Sequence, residues 1–292
     1  MDYEKSKSIV AHVDILGFKD LIESYESSKN FKVDKLGNFI RKAINQSYNM
    51  IKSIQPEISK LDPLLSFLET LKYRQFSDNF YFSVNYYKDE EIESAFHIIS
   101  TLVALFQRLM LYGNIYVRGA ISWGKNLCDE NIIFSEALIY AVELENKIAI
   151  YPRIVIDNSL YNNILKNGKS EQILGLYPEL FVKDYTNVIF INPFLVHKGN
   201  KFKMEKLGLD YQKMKDEVFI MNPENNNFDE NVLANFIKDN SDEELIKIVK
   251  KDLNEKLIEF EEEYHIFEKY KWLSEYLNWI VGEPHSLIFK YC

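Results

Sequence analysis

The sequence predicts an α+β sandwich, a mainly antiparallel sheet with helices on one face, followed by a C-terminal helical appendage. Short runs rich in Val, Ile and aromatic residues alternate with longer stretches of helical period. Two of those runs, Lys72–Phe76 and Phe80–Asn85, meet at a polar turn and read as a hairpin. Beyond about Pro193 the strand signal stops and only helical spacing remains.

Taken in order, Ser8–Ile15 is apolar and β-branched, a strand buried on both faces. Gly17 permits a tight turn, and a helix begins at Phe18. Leu36, Phe39, Ile40, Ala43, Ile44, Met50 and Ile51 mark a helix over Val33–Ile54, which Pro56 is expected to end. Pro63 opens a short helical piece through Leu71, and the hairpin follows with Ser77, Asp78 and Asn79 at its bend. Glu90–Tyr112 reads as an amphipathic helix stopped by Gly113 and Asn114. Ile115–Ser122 is a strand, Gly124–Cys128 a turn into another, and Ser135 caps a helix that runs to Lys147. Arg153–Ile156 is a strand, Asp157 or Asn158 caps the helix Ser159–Leu165, and Phe181–Lys183 and Val188–Ile191 form a hairpin. Residues 1–195 are therefore read as one domain and 196–292 as a linker and helical region. The apolar spacing of Leu245 through Ile280 suits packing on that domain or on a second copy.

At 292 residues and 47% hydrophobic content the chain can bury a large core. A net charge of -9 argues against a nucleic-acid partner but leaves a small phosphorylated substrate open, because local cations and backbone N–H groups suffice to hold one. No run approaches the roughly 18 to 20 apolar residues of a membrane span, and Met1–Ser8 lacks a secretory core. Cys128 and Cys292 form neither a disulfide framework nor a metal-ligand spacing, so a cytoplasmic protein is expected.

Asp14 and Asp78 are the main candidates for chemistry. An acid after a β-branched run is most often a cap or turn residue. If the first strand and the hairpin lie side by side, however, the two carboxylates converge at the sheet edge, where they repel unless a cation joins them. The carbonyl of Ile15 lies close enough to complete an oxygen shell. His12 shares the face of Asp14 by alternation and reads as a structural histidine beneath it. Arg118 is the best-placed guanidinium for phosphate or developing charge, with a solvent-face arginine as the alternative. Lys166, Lys169 and Lys183 are candidate cations for a phosphorylated ligand. No Ser-His-Asp order, Gly-rich phosphate loop or zinc spacing stands out.

Val13-Asp14-Ile15-Leu16-Gly17-Phe18, Phe76-Ser77-Asp78-Asn79, Val117-Arg118-Gly119-Ala120-Ile121-Ser122-Trp123-Gly124 and Ser135 through Glu145, read in order, resemble the class III nucleotidyl cyclases over about Ser8–Asp157. The resemblance implies a ferredoxin-like cyclase sandwich and a homodimer with sites at the interface. It also implies two Mn²⁺ or Mg²⁺ ions per site, held by Asp14, Asp78 and the backbone of Ile15. In that chemistry a 3′-hydroxyl attacks the α-phosphorus of a nucleoside triphosphate and pyrophosphate leaves. Arg118 joins the two acids as an expected catalytic residue, and Gly17, Phe18, Arg74 and Ser77 are expected substrate contacts.

The departures bear on the base. The Asn and Arg with which purine cyclases orient ribose and stabilise the transition state match Ile139 and Glu143, which cannot do that work. The base-reading lysine is replaced by Arg74, and its partner falls near Ile132, whose side chain neither donates nor accepts. The overall pattern is most similar to the bacterial pyrimidine cyclases of the Pycsar anti-phage systems. This implies conversion of UTP or CTP to cyclic UMP or cyclic CMP, a messenger for a separate effector protein. The alternatives are an ATP or GTP cyclase with a rearranged base pocket and an inactive cyclase-fold module that binds nucleotide.

Overall fold

The structure is a computed structural model that describes residues 6–27, 33–61, 70–129, 131–166, 180–194 and 241–292. The helical piece expected from Pro63, Lys169 and the polar stretch 198–227 lie outside them. The elements are β1 (Lys7–Ile15), α1 (Phe18–Ser27), α2 (Val33–Leu61), β2 (Lys72–Phe76), β3 (Asn79–Tyr86), α3 (Ile92–Tyr112), β4 (Val117–Cys128), β5 (Ile133–Ser135), α4 (Glu136–Lys147), β6 (Ile154–Ile156), α5 (Asn158–Lys166), β7 (Phe181–Asp184), β8 (Ile189–Ile191), α6 (Ser241–Glu259), α7 (Tyr264–Val281) and β9 (Phe289–Tyr291). They form one sheet in the order β2-β3-β1-β4-β6-β8-β7-β9, with β5 attached to β4. The pairings are antiparallel except β4 with β6. The strands β2, β3, β1 and β4 have ferredoxin-like connectivity, with helices before β2 and between β3 and β4.

Strand β1 is buried on both faces, as its uninterrupted apolar run predicts. Ile9, Ala11, Val13 and Ile15 lie opposite Val84, Phe82, Phe80 and Val117 and belong to the main core. Helix α3 closes that core, with the Phe106 ring tilted against Phe80 at 5.0 Å and Phe82 at 5.6 Å. The amphipathic face expected of this helix widens to almost its whole circumference, since α2, the sheet and α6 enclose it. It is long and apolar enough to span a bilayer, yet 89% of its apolar window is buried in this fold.

The opposite face of the inner strands carries Val10, Tyr81 and Cys128, which pack against Ala137 and Leu138 of α4. Buried polar groups beside them satisfy one another. Ser8 Oγ donates to Asn85 Oδ1 (2.6 Å), Asn126 Nδ2 to Ser8 Oγ (2.9 Å), and Tyr81 Oη to Asn126 Oδ1 (2.9 Å). Two local expectations give way. Helix α2 continues through Pro56, which removes one backbone hydrogen bond without ending the helix. The turn expected at Gly124 is the middle of a single 12-residue strand, whose far half Asn126–Cys128 pairs with β5.

The C-terminal helices dock on this sheet, and β9 extends it beside β7. Register places Phe190 opposite Val155, Val155 opposite Ala120, and Ala120 opposite His12, so all four share the face covered by α4. Trp272 and Tyr276 of α7 pack on Phe190 at 5.3 and 5.2 Å, which puts α7 on that face next to α4. Beneath α7, buried Arg153 pairs with buried Asp184, and its guanidinium lies 5.2 Å from the rings of both Tyr151 and Trp272. Arg153→Ala would leave Asp184 charged and uncompensated in the interior, so a loss of about 3–5 kcal/mol is expected. Urea denaturation checks this, and a midpoint unchanged from wild type would show that the pair does not hold α7 in place.

Candidate active site

The site forms where β1 ends. Gly17 turns the chain at φ +69°, Leu16 donates its N–H to the Tyr116 carbonyl (2.9 Å), and Leu21 N–H meets the Gly17 carbonyl (3.0 Å) as α1 begins. The β2–β3 turn is as tight, with Ser77 at φ 57°. Its Asp78 carbonyl accepts from the Ile15 N–H (3.2 Å), which clamps the turn to the end of β1. The register then puts Asp14 directly between Asn79 of β3 and Arg118 of β4, all on one face. Gly119 lets β4 come this close: a Cβ there would sit 2.3 Å from the His12 carbonyl oxygen.

The charges gathered at this point are strongly coupled. Arg118 Nε donates to Asp14 Oδ2 at 3.2 Å and lies 2.8 Å from Glu145 Oε1, the latter contact without hydrogen-bond alignment. Glu145 arrives from α4, whose buried side is Ala137, Ala141 and Glu145 at four-residue steps. Small residues let the helix approach the sheet, and the final acid reaches the guanidinium. Burial raises the pKa of Asp14, Arg118 opposes the rise, and Asp78 adds to it through its charge and a hydrogen bond between the two carboxyls. Burial likewise raises Glu145, against Arg118 and with a further push from Asp14. Burial lowers the pKa of His12, which shares this face one pair further along β1; Arg118 adds to the fall, and Asn79 and Asp78 oppose it.

Two carboxyls brought to one point, as Asp14 and Asp78 are by the Ile15–Asp78 backbone bond, repel unless a proton or a cation joins them. Their all-oxygen character suits a hard divalent ion. The described residues hold no group of three or more His, Cys, Asp or Glu able to bind a metal, so further ligands would come from the backbone at Ile15 and from a bound substrate. Asn79 Nδ2 donates to Asp78 Oδ1 (3.1 Å) and orients that carboxylate.

Asp14, Ile15, Gly17, Phe18, Ser77, Asp78 and Arg118 thus converge on the joined ends of β1, β3 and β4. Phe18 is half-buried and packs against the core. Arg74 is held a short way off, donating from Nη1 to the Tyr73 carbonyl (2.8 Å) and from Nη2 to the Asp129 carbonyl (2.6 Å). Asp129 in turn accepts from the N–H groups of Asn131 and Ile132, both at 2.8 Å, so Arg74 of β2 and Ile132 both bond Asp129 between β4 and β5. Ile139 and Glu143 lie on the exposed side of α4, Glu143 paired with Lys147 at 3.0 Å. Lys183 stands on β7, separated from β1 by β4, β6 and β8. Glu145 is a site residue not singled out from the sequence, although an acid on the Ala137–Ala141 stripe was its signal. Lys269 of α7 is partly buried, which lowers its pKa, with the Arg118 charge adding to the fall and Asp14 opposing it.

No protein-family model and no curated protein matches the chain. Solved structures similar to it include the monomeric guanylyl cyclase domain of the RhoGC fusion protein from the aquatic fungus Blastocladiella emersonii. That match has 11% identity, covers 64% of this chain and 94% of that one, and has a TM-score of 0.34. A bacterial light-regulated adenylyl cyclase is 12% identical, with 69% of this chain and 97% of that one covered and a TM-score of 0.35. Likeness at this level assigns no role to any residue.

Because Glu145 shares Arg118 with Asp14, Glu145→Gln should leave the guanidinium to Asp14 alone and move the Asp14 titration to lower pH. The sign for stability follows. Asp14 keeps its proton longer folded than unfolded, so stability falls as pH rises from the ordinary carboxylate value to its raised one, and the variant narrows that window. Carbon-detected NMR of the carboxyl groups measures it, and an unchanged or higher midpoint would contradict the shared-arginine arrangement.

Proposed function

We propose that the chain is a cytoplasmic, metal-dependent nucleotide cyclase that converts UTP or CTP to the 3′,5′-cyclic monophosphate with release of pyrophosphate. The observation that carries the reading is the juxtaposition of Asp14 and Asp78, set by the β1–β3 register and the Ile15–Asp78 backbone bond. Asp14 and Asp78, with the backbone of Ile15, hold two Mg²⁺ or Mn²⁺ ions. When bound, these supply charge neutralisation on the phosphates and a lowered pKa for the attacking hydroxyl. Arg118 fixes the Asp14 carboxylate and brings positive charge beside the phosphates. The tight turns at Gly17 and Ser77 present the acids, and Phe18 offers a ring to ribose or base.

The base preference rests on side-chain chemistry. Ile139 is hydrocarbon and Glu143 anionic, so neither replaces the Asn and Arg of a purine site, whereas Arg74 is a donor suited to a pyrimidine carbonyl. Exposed Phe76, Ile132, Phe134 and Ile139 lie on β2, the β4–β5 hairpin and the outer side of α4. Such apolar exposure supports a homodimer formed through this face. Catalysis is assigned to residues 1–195, with the described C-terminal residues 241–292 docked on the same sheet. A role in anti-phage defence, with a separate effector reading the cyclic nucleotide, follows from the sequence resemblance alone. One observation favours a second reading, a nucleotide-binding module without turnover: Arg118 already occupies an oxygen of Asp14.

Pure protein incubated with Mn²⁺ and each of the four nucleoside triphosphates in turn, with products separated by chromatography, should yield cyclic UMP or cyclic CMP. Cyclic AMP or cyclic GMP as the main product would overturn the base assignment, and binding without any product would support the second reading. Asp14→Ala and Asp78→Ala should each remove turnover with the circular dichroism spectrum unchanged; wild-type rates in either would sink the metal assignment. Phe134→Asp should shift the chain toward monomer in sedimentation velocity and lower activity with it, and a fully active monomer would contradict the shared interface.

A further inference from the structure

Arg118 stands between two acids with one hydrogen to divide. Its Nε carries a single N–H, which is aimed at Asp14 Oδ2 at 3.2 Å, while Glu145 Oε1 lies nearer, at 2.8 Å, but off that axis. The same Glu145 oxygen is buried and accepts no hydrogen bond among the described residues. Glu145 is also the more deeply withdrawn of the two acids, its side chain 5% exposed against 15% for Asp14. A carboxylate taken out of water without an aligned donor is costly, so the arrangement serves Asp14 at the expense of Glu145.

Both ends of the alternative are already in place. Glu145 cannot withdraw, because it lies on the buried side of α4 with Ala137 and Ala141, and α4 packs on β1 and β4. The backbone of Arg118 is fixed opposite Asp14 by the register of β4, so only its side chain is left to move. With Nε within hydrogen-bond distance of both oxygens, a small rotation turns the N–H from one acid to the other. Release of Asp14 is useful, since the Ile15–Asp78 backbone bond holds a second carboxyl at the same point.

We propose that Glu145 is a positioning residue that takes Arg118 off Asp14 when a divalent cation binds, an inference that rests on the reading of Asp14 and Asp78 as a cation site. In the free protein a cation must compete with Arg118 for the Asp14 oxygen. Turning the Nε–H onto Glu145 frees that oxygen, leaves the guanidinium with a counter-ion and gives the buried Glu145 oxygen its missing donor. No proton changes owner in the exchange. Without Glu145 the guanidinium must either stay on Asp14 or give up its partner, and the cation binds more weakly in both cases. The Arg118–Asp14 bond is then the resting state of the site.

The Mn²⁺ affinity of the full chain, read from the electron spin resonance signal of the unbound ion, tests this without turnover. Glu145→Gln should weaken binding by about 10-fold or more, the loss expected for one charge-assisted hydrogen bond. Glu143→Gln removes the same charge from the exposed side of α4 and should bind as wild type. A double-mutant cycle separates transfer of the arginine from simple loss of charge: in an Arg118→Gln background, Glu145→Gln should change the affinity by less than about 3-fold, because no guanidinium remains to be moved. Equal weakening in both backgrounds, or none in either, overturns the inference and leaves the cation site standing; no Mn²⁺ binding by wild type overturns both. Melting curves identify any variant that fails to fold, and a second measurement needs only wild type. Exchange of the Arg118 Nε proton with water, followed by NMR, should slow when Mg²⁺ saturates the site, since the proton passes to the more buried acid. Unchanged or faster exchange would mean that Arg118 stays on Asp14 or is released to water, and overturns the inference.

Discussion

The antiparallel register of β1 between β3 and β4 is the constraint on which the site depends. Because β1 is buried on both faces, a slip of one residue would exchange Ile9, Ala11, Val13 and Ile15 for Val10, His12 and Asp14 in the main core. The cost of burying those polar groups holds the strand in place. With the register fixed, Asp14 must lie between Asn79 and Arg118, and the Ile15–Asp78 backbone bond brings the second acid to the first. The fold thus holds together two carboxyls that would separate if free.

Arg118 makes that juxtaposition tolerable. One guanidinium faces Asp14 and Glu145, and the raised pKa of both acids shows that it does not fully offset their burial and mutual repulsion. Such a cluster is set up to take on positive charge. Glu145 has a positioning role: it holds Arg118 from the α4 side, so the guanidinium is not free to move entirely onto Asp14. On the other side, α7 encloses the same strand ends, and the buried Arg153–Asp184 pair with its aromatic surround fixes that helix in place.

Much of this was legible in the sequence, for identifiable reasons. The apolar run of β1, the aromatic hairpin with its polar bend and the Ser135 cap, whose Oγ accepts from Leu138 N–H at 3.0 Å, are local signals that agree with the tertiary structure. What was not legible depends on partners far along the chain. Three residues, Phe289–Tyr291, carry too little pattern to announce β9, which exists because β7 offers an open edge. Gly124 resembles a turn residue until β5 pairs with the strand that continues past it. Helix α7 carries aromatic and apolar residues on several sides, which hides the one that meets the sheet, and only the placement of Trp272 and Tyr276 on Phe190 reveals it.

Asp14 and Asp78, read as metal ligands, should act together as a divalent-cation site at the end of β1. Paramagnetic broadening of backbone amide signals by substoichiometric Mn²⁺ tests it without reference to turnover. The account predicts broadening centred on Ile15, Asp78 and Asn79 and its loss when both acids are changed to Asn. Broadening spread over the acidic surface, or retained by the doubly substituted chain, would contradict it.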